Sequence, residues 1–272
     1  MGSMSVTDPV LRFEVQGAVA VVTMNRPERK NAISLEMVQL LAAAWDEVES
    51  NDQVRVAVLT GAGDTYCVGG DLAEGWMVKP GGRENASPEE VEASSKTISR
   101  GLLLSRGLSK PLIAAVNGAC LGGGCEMLQQ TDIRVAEAHA TFGLPEARVG
   151  LIAGAGSTVR LKRQIPYTKA MEMILTGDPL TAQEAYDFGL VGRIVPTGDG
   201  LAIALELAER VAANGPLAVQ RAKAAAVESG WLDEETAREI ERHHVLAVMK
   251  SEDAREGIRA FTEKRPPQFQ GR

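Results

Sequence analysis

The sequence predicts an α/β protein in which strands and helices alternate as far as about residue 200, with helices alone beyond it. Short apolar runs of strand length, such as those in 54–60 and 111–116, recur between segments whose apolar residues repeat at helical spacing. Glycine contributes 28 of 272 residues and aromatics only 4%, a composition suited to many tight turns. From Gly200 onward the strand pattern ceases. No internal repeat and no linker interrupts the chain, so it divides into a core over 4–200 and a helical C-terminal subdomain over 201–272. Met1-Gly2-Ser3, ahead of a second methionine, is set aside as a cloning remnant.

Taken in order, 11–15 and 18–24 flank Gln16-Gly17 as a hairpin. Residues 25–31 are a polar loop carrying Arg26, Arg29 and Lys30. Ser34 caps a helix to about Asn51, with Leu35, Val38, Leu41, Trp45 and Val48 on one face. Residues 54–60 form a strand opening onto the loop 61–72, and 75–87 have the Gly/Pro-rich polar composition of a mobile loop. Ser87-Pro88-Glu89-Glu90 is a capping box that starts a helix to about Leu108. After the central strand come a helix at 125–130, a strand at 132–136, a turn at 141–146 and a glycine-rich loop at 150–156. Helices follow at 157–164, at 167–175 and from the capping box of Thr181 to Phe188, then a strand at 193–195. The last helices cover 200–213, 216–228, 233–249 and 251–264.

The 44% hydrophobic and 24% charged fractions are those of a globular protein. A net charge of −7 speaks against nucleic acid and anionic membranes as partners. No apolar run has membrane-spanning length and no signal peptide is legible, so a cytoplasmic location is expected. Cys67, Cys120 and Cys125 are odd in number and lack C-x-x-C spacing, which predicts reduced thiols. His139, His243 and His244 have no metal-ligand spacing.

The stretch 110–127, KPLIAAVNGACLGGGCEM, concentrates the chemistry. A doubly buried strand, a turn at Asn117-Gly118 and the triplet Gly122, Gly123 and Gly124 lead into a helix. That order exposes backbone N–H groups at the positive end of the helix, where glycine admits a close ligand. Glu126 lies within one turn of the same end. No Gly-Lys-Ser/Thr follows and the spacing is not G-x-G-x-x-G, so neither a phosphate loop nor a dinucleotide fingerprint fits. A second glycine loop upstream and a second carboxylate, Glu146, downstream give the stretch its partners.

Five stretches together resemble the crotonase (enoyl-CoA hydratase/isomerase) superfamily, and its enoyl-CoA hydratases most closely. They are NRPERKNAIS (25–34), YCVGGDL (66–72), AVNGACLGGGCEM (115–127), FGLPEARVGLIAGAGST (142–158) and AFTEKR (260–265), in family order across nearly the whole chain. The resemblance implies a crotonase-like spiral of ββα repeats with a C-terminal trimerisation subdomain. It further implies a homotrimer or hexamer, an acyl-CoA thioester substrate and no cofactor beyond the CoA that the substrate carries. Three residues depart from the pattern: Val68 stands for a usual alanine, and Ala153 and Ser157 stand for a common proline and glycine.

By this resemblance the N–H groups of Val68 and Gly123 stabilise the thioester oxyanion, while Glu126 holds and deprotonates water and Glu146 delivers the α-proton. Two carboxyls around one water can do both tasks when one is protonated and the other ionised. Isomerases of the family retain an acid matching Glu146 and lack one matching Glu126, so the pair favours hydration. Isomerisation, dehydration of a 3-hydroxyacyl-CoA, or a non-catalytic thioester- or RNA-binding role are the alternatives. Substrate and CoA contacts are expected from Arg26, Arg29, Lys30, Ala32, Tyr66, Val68, Gly70, Asp71, Leu72 and Gly122, with Trp76 and Met77 as candidates for lining the acyl pocket. Phe261 and Lys264 match positions that meet the CoA of a neighbouring subunit, and Ala254, Ile258 and Phe261 form an apolar stripe at i, i+4 and i+7.

Overall fold

The computed structural model describes residues 9–76, 87–104 and 107–272. Strands β1 (Leu11–Gln16), β2 (Val19–Met24), β3 (Val56–Gly61), β5 (Leu112–Val116), β7 (Ile133–Glu137) and β10 (Arg193–Val195) form one sheet, while the shorter β4 (Thr65–Cys67), β6 (Ala119–Leu121), β8 (Thr141–Gly143) and β9 (Leu180–Thr181) form a second. In the larger sheet β1 and β2 are the predicted antiparallel hairpin, and every later pairing is parallel, in the order β1-β2-β3-β5-β7-β10.

β3 and β5 are buried at every position, which is why they read as continuous apolar runs. Their alternate residues serve two cores. Ala57, Leu59, Leu112, Ala114 and Val116 pack with Met37, Leu41 and Trp45 of α1 (Leu35–Ser50). Val56, Val58, Ile113 and Ala115 pack with Ala204, Leu207 and Ala208 of a helix much later in the chain. Ser34 caps α1 by accepting from Met37 N–H (3.0 Å).

The capping box of Ser87 and Glu90 starts α2 (Pro88–Gly101) as expected, but the helix ends seven residues before Leu108. Gly101 lies so close to α1 that a Cβ there would sit 2.4 Å from the Val38 carbonyl, and its own carbonyl accepts from Trp45 Nε1 (2.9 Å). The expected loop over 75–87 falls mostly outside the described residues, Met77 with it.

The helix after the glycine triplet, α3 (Gly123–Leu128), begins two residues earlier than expected. Residues 141–146, expected as a turn, comprise β8 and the start of a 3-10 turn, Pro145–Val149. α4 (Ser157–Gln164), α5 (Tyr167–Thr176) and α6 (Ala182–Asp187) follow their sequence signals. The late helix in the second core is α7 (Gly200–Ala212), so the sheet is covered from both sides of residue 200. α8 (Pro216–Ser229) and α9 (Glu234–Met249) pack on each other, and α10 (Glu252–Glu263) is tied to the C-terminal tail. Asp253 accepts from Gln270 N–H and Gly271 N–H, and Glu256 from Gln268 N–H. That arrangement turns Ile258 (71% exposed) and Phe261 (87% exposed) outward, away from this chain's own core.

The second sheet was not legible in the sequence, because strands of two or three residues are too short to show a period. It positions the chemistry. β4, β6 and β8 run parallel, and their C-terminal ends deliver the loop 68–72, the glycine triplet and the turn bearing Glu146 to one place.

Candidate active site

Three successive N–H groups leave β4, and the local pairing gives each a different fate. Val68 N–H donates to the Lys30 carbonyl (3.3 Å), and Gly69 N–H donates to Cys67 Sγ (3.4 Å). Ile33 then bridges the loop: its N–H donates to the Gly69 carbonyl (2.8 Å) and its carbonyl accepts from Asp71 N–H (2.9 Å). A parallel bridge of this kind leaves the N–H of the middle residue, Gly70, pointing away from Ile33. Gly70 N–H makes no hydrogen bond among the described residues. The expectation of a free donor at Val68 is therefore corrected: the Lys30 carbonyl takes that N–H, and a donor unpaired among the described residues lies two residues further on, at Gly70.

The glycine triplet faces this loop backbone to backbone. Gly122 takes φ 52° and ψ −131°, and its N–H is bound by the Gly143 carbonyl (2.9 Å). Gly123 is the first residue of α3, so its N–H has no carbonyl behind it within the helix and makes no bond among the described residues. A Cβ at Gly69 would lie 3.0 Å from Gly123 N, and one at Gly123 would lie 3.7 Å from Gly70 N. The two unpaired donors are thus neighbours across a gap that no larger residue at 69 would leave open.

Both carboxylates reach the same place. A Cβ at Gly122 would lie 3.3 Å from Glu146 Oε1, and Glu146 Oε2 is buried without a partner among the described residues. Glu126, 4% exposed, accepts at Oε1 from Ser157 N–H (3.2 Å) and is also bonded by the Ala155 backbone. Burial raises the Glu126 carboxyl to about 7; the negative charge of Glu146 adds to the rise, and the bonds from Ser157 and Ala155 oppose it. Burial likewise raises Glu146 above the ordinary carboxylate range.

Around this centre two of the three cations make ion pairs within the chain. Asp71 is buried and paired with Arg29 (3.0 Å) and Arg26 (3.2 Å), and it accepts from Ala73 N–H (3.2 Å). Burial pushes its carboxyl up, but Arg29, Ala73 and Arg26 together hold it below the usual range. Arg26 also donates to the Ala32 carbonyl (2.7 Å). The Arg26–Asp71–Arg29 cluster thus fastens the basic loop to the donor loop, and Arg26 and Arg29 are engaged there. Lys30, exposed, makes no ion pair among the described residues.

Tyr66, expected to touch substrate, is fully buried, and its hydroxyl has no partner among the described residues. Leu72 stands more than half exposed at the rim. Trp76 is buried and donates from Nε1 to the Ile33 carbonyl (2.9 Å), so it braces the bridge that shapes the donor loop. Cys67 is buried, and burial pushes its thiol up to about 12, which leaves no thiolate for nucleophilic attack near neutrality. Two contributors had no mark as site residues in the sequence: Gln129, and Ser157, noted there only as a departure from pattern.

The enoyl-CoA hydratase/isomerase family model matches residues 14–272. The chain is 45% identical over 267 residues to the enoyl-CoA hydratase EchA19 of Mycobacterium tuberculosis, covering 97% of each protein. It is 36% identical over 259 residues to the 2,3-dehydroadipyl-CoA hydratase of Escherichia coli, covering 94% of this chain and 97% of that one. A solved structure assigned to the enoyl-CoA hydratase/isomerases, from Mycobacterium abscessus, superposes with a TM-score of 0.87 at 60% identity, over 97% of this chain and all of the other. Sequence, fold and site geometry agree, and the chain belongs to the enoyl-CoA hydratase/isomerase family.

Proposed function

We propose that this chain is an enoyl-CoA hydratase that adds water reversibly, in the syn sense, across the 2,3 double bond of an enoyl-CoA thioester. The observation that carries the reading is a pair of carboxyls, Glu126 buried and Glu146 half-buried, both with raised pKa, beside two backbone N–H groups that are unpaired among the described residues. Attack at the β-carbon sends negative charge onto the thioester oxygen. The N–H groups of Gly70 and Gly123 receive it, each donor contributing on the order of 3 kcal/mol in comparable acyl chemistry. Glu126 in its ionised form takes the proton from water while Glu146 in its protonated form gives one to the α-carbon. A carboxyl that titrates near 7 is half ionised at neutral pH, which suits it to taking and returning a proton in a reversible reaction. The two coupled acids share their protons, so the ionised and protonated roles belong to the pair.

Lys30 and Lys264 are the cations offered to the CoA phosphates, and Phe261 supplies an apolar contact. Their exposure supports a site completed in trans within a homotrimer or a hexamer. A panel of enoyl-CoAs of different chain length and branching, followed by loss of the conjugated-thioester absorbance, tests both parts. Hydration of at least one member is expected, with Lys264→Ala raising KM more than it lowers kcat, since that contact binds ground and transition states alike. No turnover across the panel would remove the hydratase reading. A fully active monomer by light scattering would remove the trans site.

A further inference from the structure

The glycine loop 150–156 ends at Ser157, where the family pattern leads to expect another glycine, and the side chain introduced there is completely buried. Its hydroxyl meets two groups. Gln129 Nε2 lies 2.7 Å from Ser157 Oγ and 3.1 Å from the Cys125 carbonyl. A carbonyl can only accept, so the group facing Cys125 is the amide NH2, and Ser157 Oγ must accept its second N–H. The serine hydrogen is then free to be donated, and the acceptor beside it is the Glu126 carboxylate, whose Oε1 also takes Ser157 N–H at 3.2 Å. Gln129 is itself fixed by Gln164 Nε2, which donates to the Gln129 carbonyl (2.8 Å). The chain of donors therefore has one direction, from Gln129 through Ser157 to Glu126.

We propose that Ser157, oriented by Gln129, is a positioning residue that clamps the Glu126 carboxylate by backbone and side chain together. The proposal rests on the reading of Glu126 as the group that handles water. A carboxylate held by two donors from one residue keeps its other oxygen turned to the site, where a mobile glutamate would rotate. The other ionisable groups acting on Glu126 are Glu146 from the 3-10 turn and Arg160 from α4. A donor that favours the charged form lowers the pH at which the carboxyl ionises, so losing the hydroxyl moves that midpoint upward.

Infrared titration of the Glu126 carboxyl stretch in a Glu146→Gln background, with the band assigned by its loss in Glu126→Gln, reads this without any turnover. Ser157→Ala is expected to raise the midpoint by about one pH unit, the order for a hydrogen bond to a charged group. Gln129→Met is expected to shift it in the same direction by less, and the double variant to shift it no further than Ser157→Ala alone. An unmoved midpoint in a folded Ser157→Ala protein overturns the proposal, as does a double variant whose shift is the sum of the two. With both glutamates present, the acid limb of kcat against pH should move with the infrared midpoint. A wild type that turns over no enoyl-CoA while the midpoint shifts as stated would sink the hydratase reading and leave the clamp standing.

Discussion

Glu126→Gln and Glu146→Gln should each lower hydration by more than about a hundredfold, the lower range for removing a general acid or base. Both changes keep shape and remove a proton-transfer group, so the fold should persist. For Glu126 a second consequence separates loss of chemistry from loss of structure. Its carboxyl titrates near 7 in the folded protein against an ordinary 4.5. Between those values the folded state holds a proton that the unfolded chain has released, so the contribution of this group is fully present below pH 4.5 and is lost as pH rises toward 7. Removing the charge relieves that cost. Glu126→Gln should show a higher Tm than wild type at pH 8 and an equal one at pH 4, while being the poorer enzyme at both. Rates within a few-fold of wild type would take the residue out of the mechanism.

Gly123→Pro should lower turnover by about a hundred- to a thousandfold, the loss expected for one oxyanion donor. The position makes the test clean. Gly123 is the first residue of α3, where proline suits the backbone and the missing N–H breaks no helical bond. A Cβ there would meet Ile33 Cδ1 at 3.5 Å, an ordinary contact. Val68→Ala serves as the control: its N–H is spent on Lys30, and alanine keeps that N–H in any case. It should retain activity, with an altered chain-length preference as the only change. An active, folded Gly123→Pro protein would rule out that donor.

What could be read from the residues alone divides by the length of the signal. β3 and β5 are apolar because both faces are covered, and α1, α4, α6 and α10 announce themselves by caps or spacing, so the larger sheet and most helices were legible. Glu126, Glu146 and Gly123 were reached through their motifs. The second sheet was hidden by the brevity of its strands. The shift of the loop donor from Val68 to Gly70 was hidden for another reason: it depends on which N–H the Ile33 bridge and the Lys30 carbonyl consume, and both lie more than thirty residues away in sequence. The pairing of Arg26 and Arg29 with Asp71 was hidden because nothing in their own loop reveals it. Ser157 stood out as a departure, yet its meaning required Gln129, twenty-eight residues upstream.

In the proposed reaction Glu126 and Glu146 flank one water on one face of an enoyl thioester whose oxygen rests on Gly70 and Gly123. Carrying out the reaction in D2O and examining the product by NMR addresses it most directly. The expected product is a 3-hydroxyacyl-CoA with a single deuterium at C2, on the same face as the new hydroxyl. A β,γ-unsaturated product, or deuterium delivered to the opposite face, would contradict it.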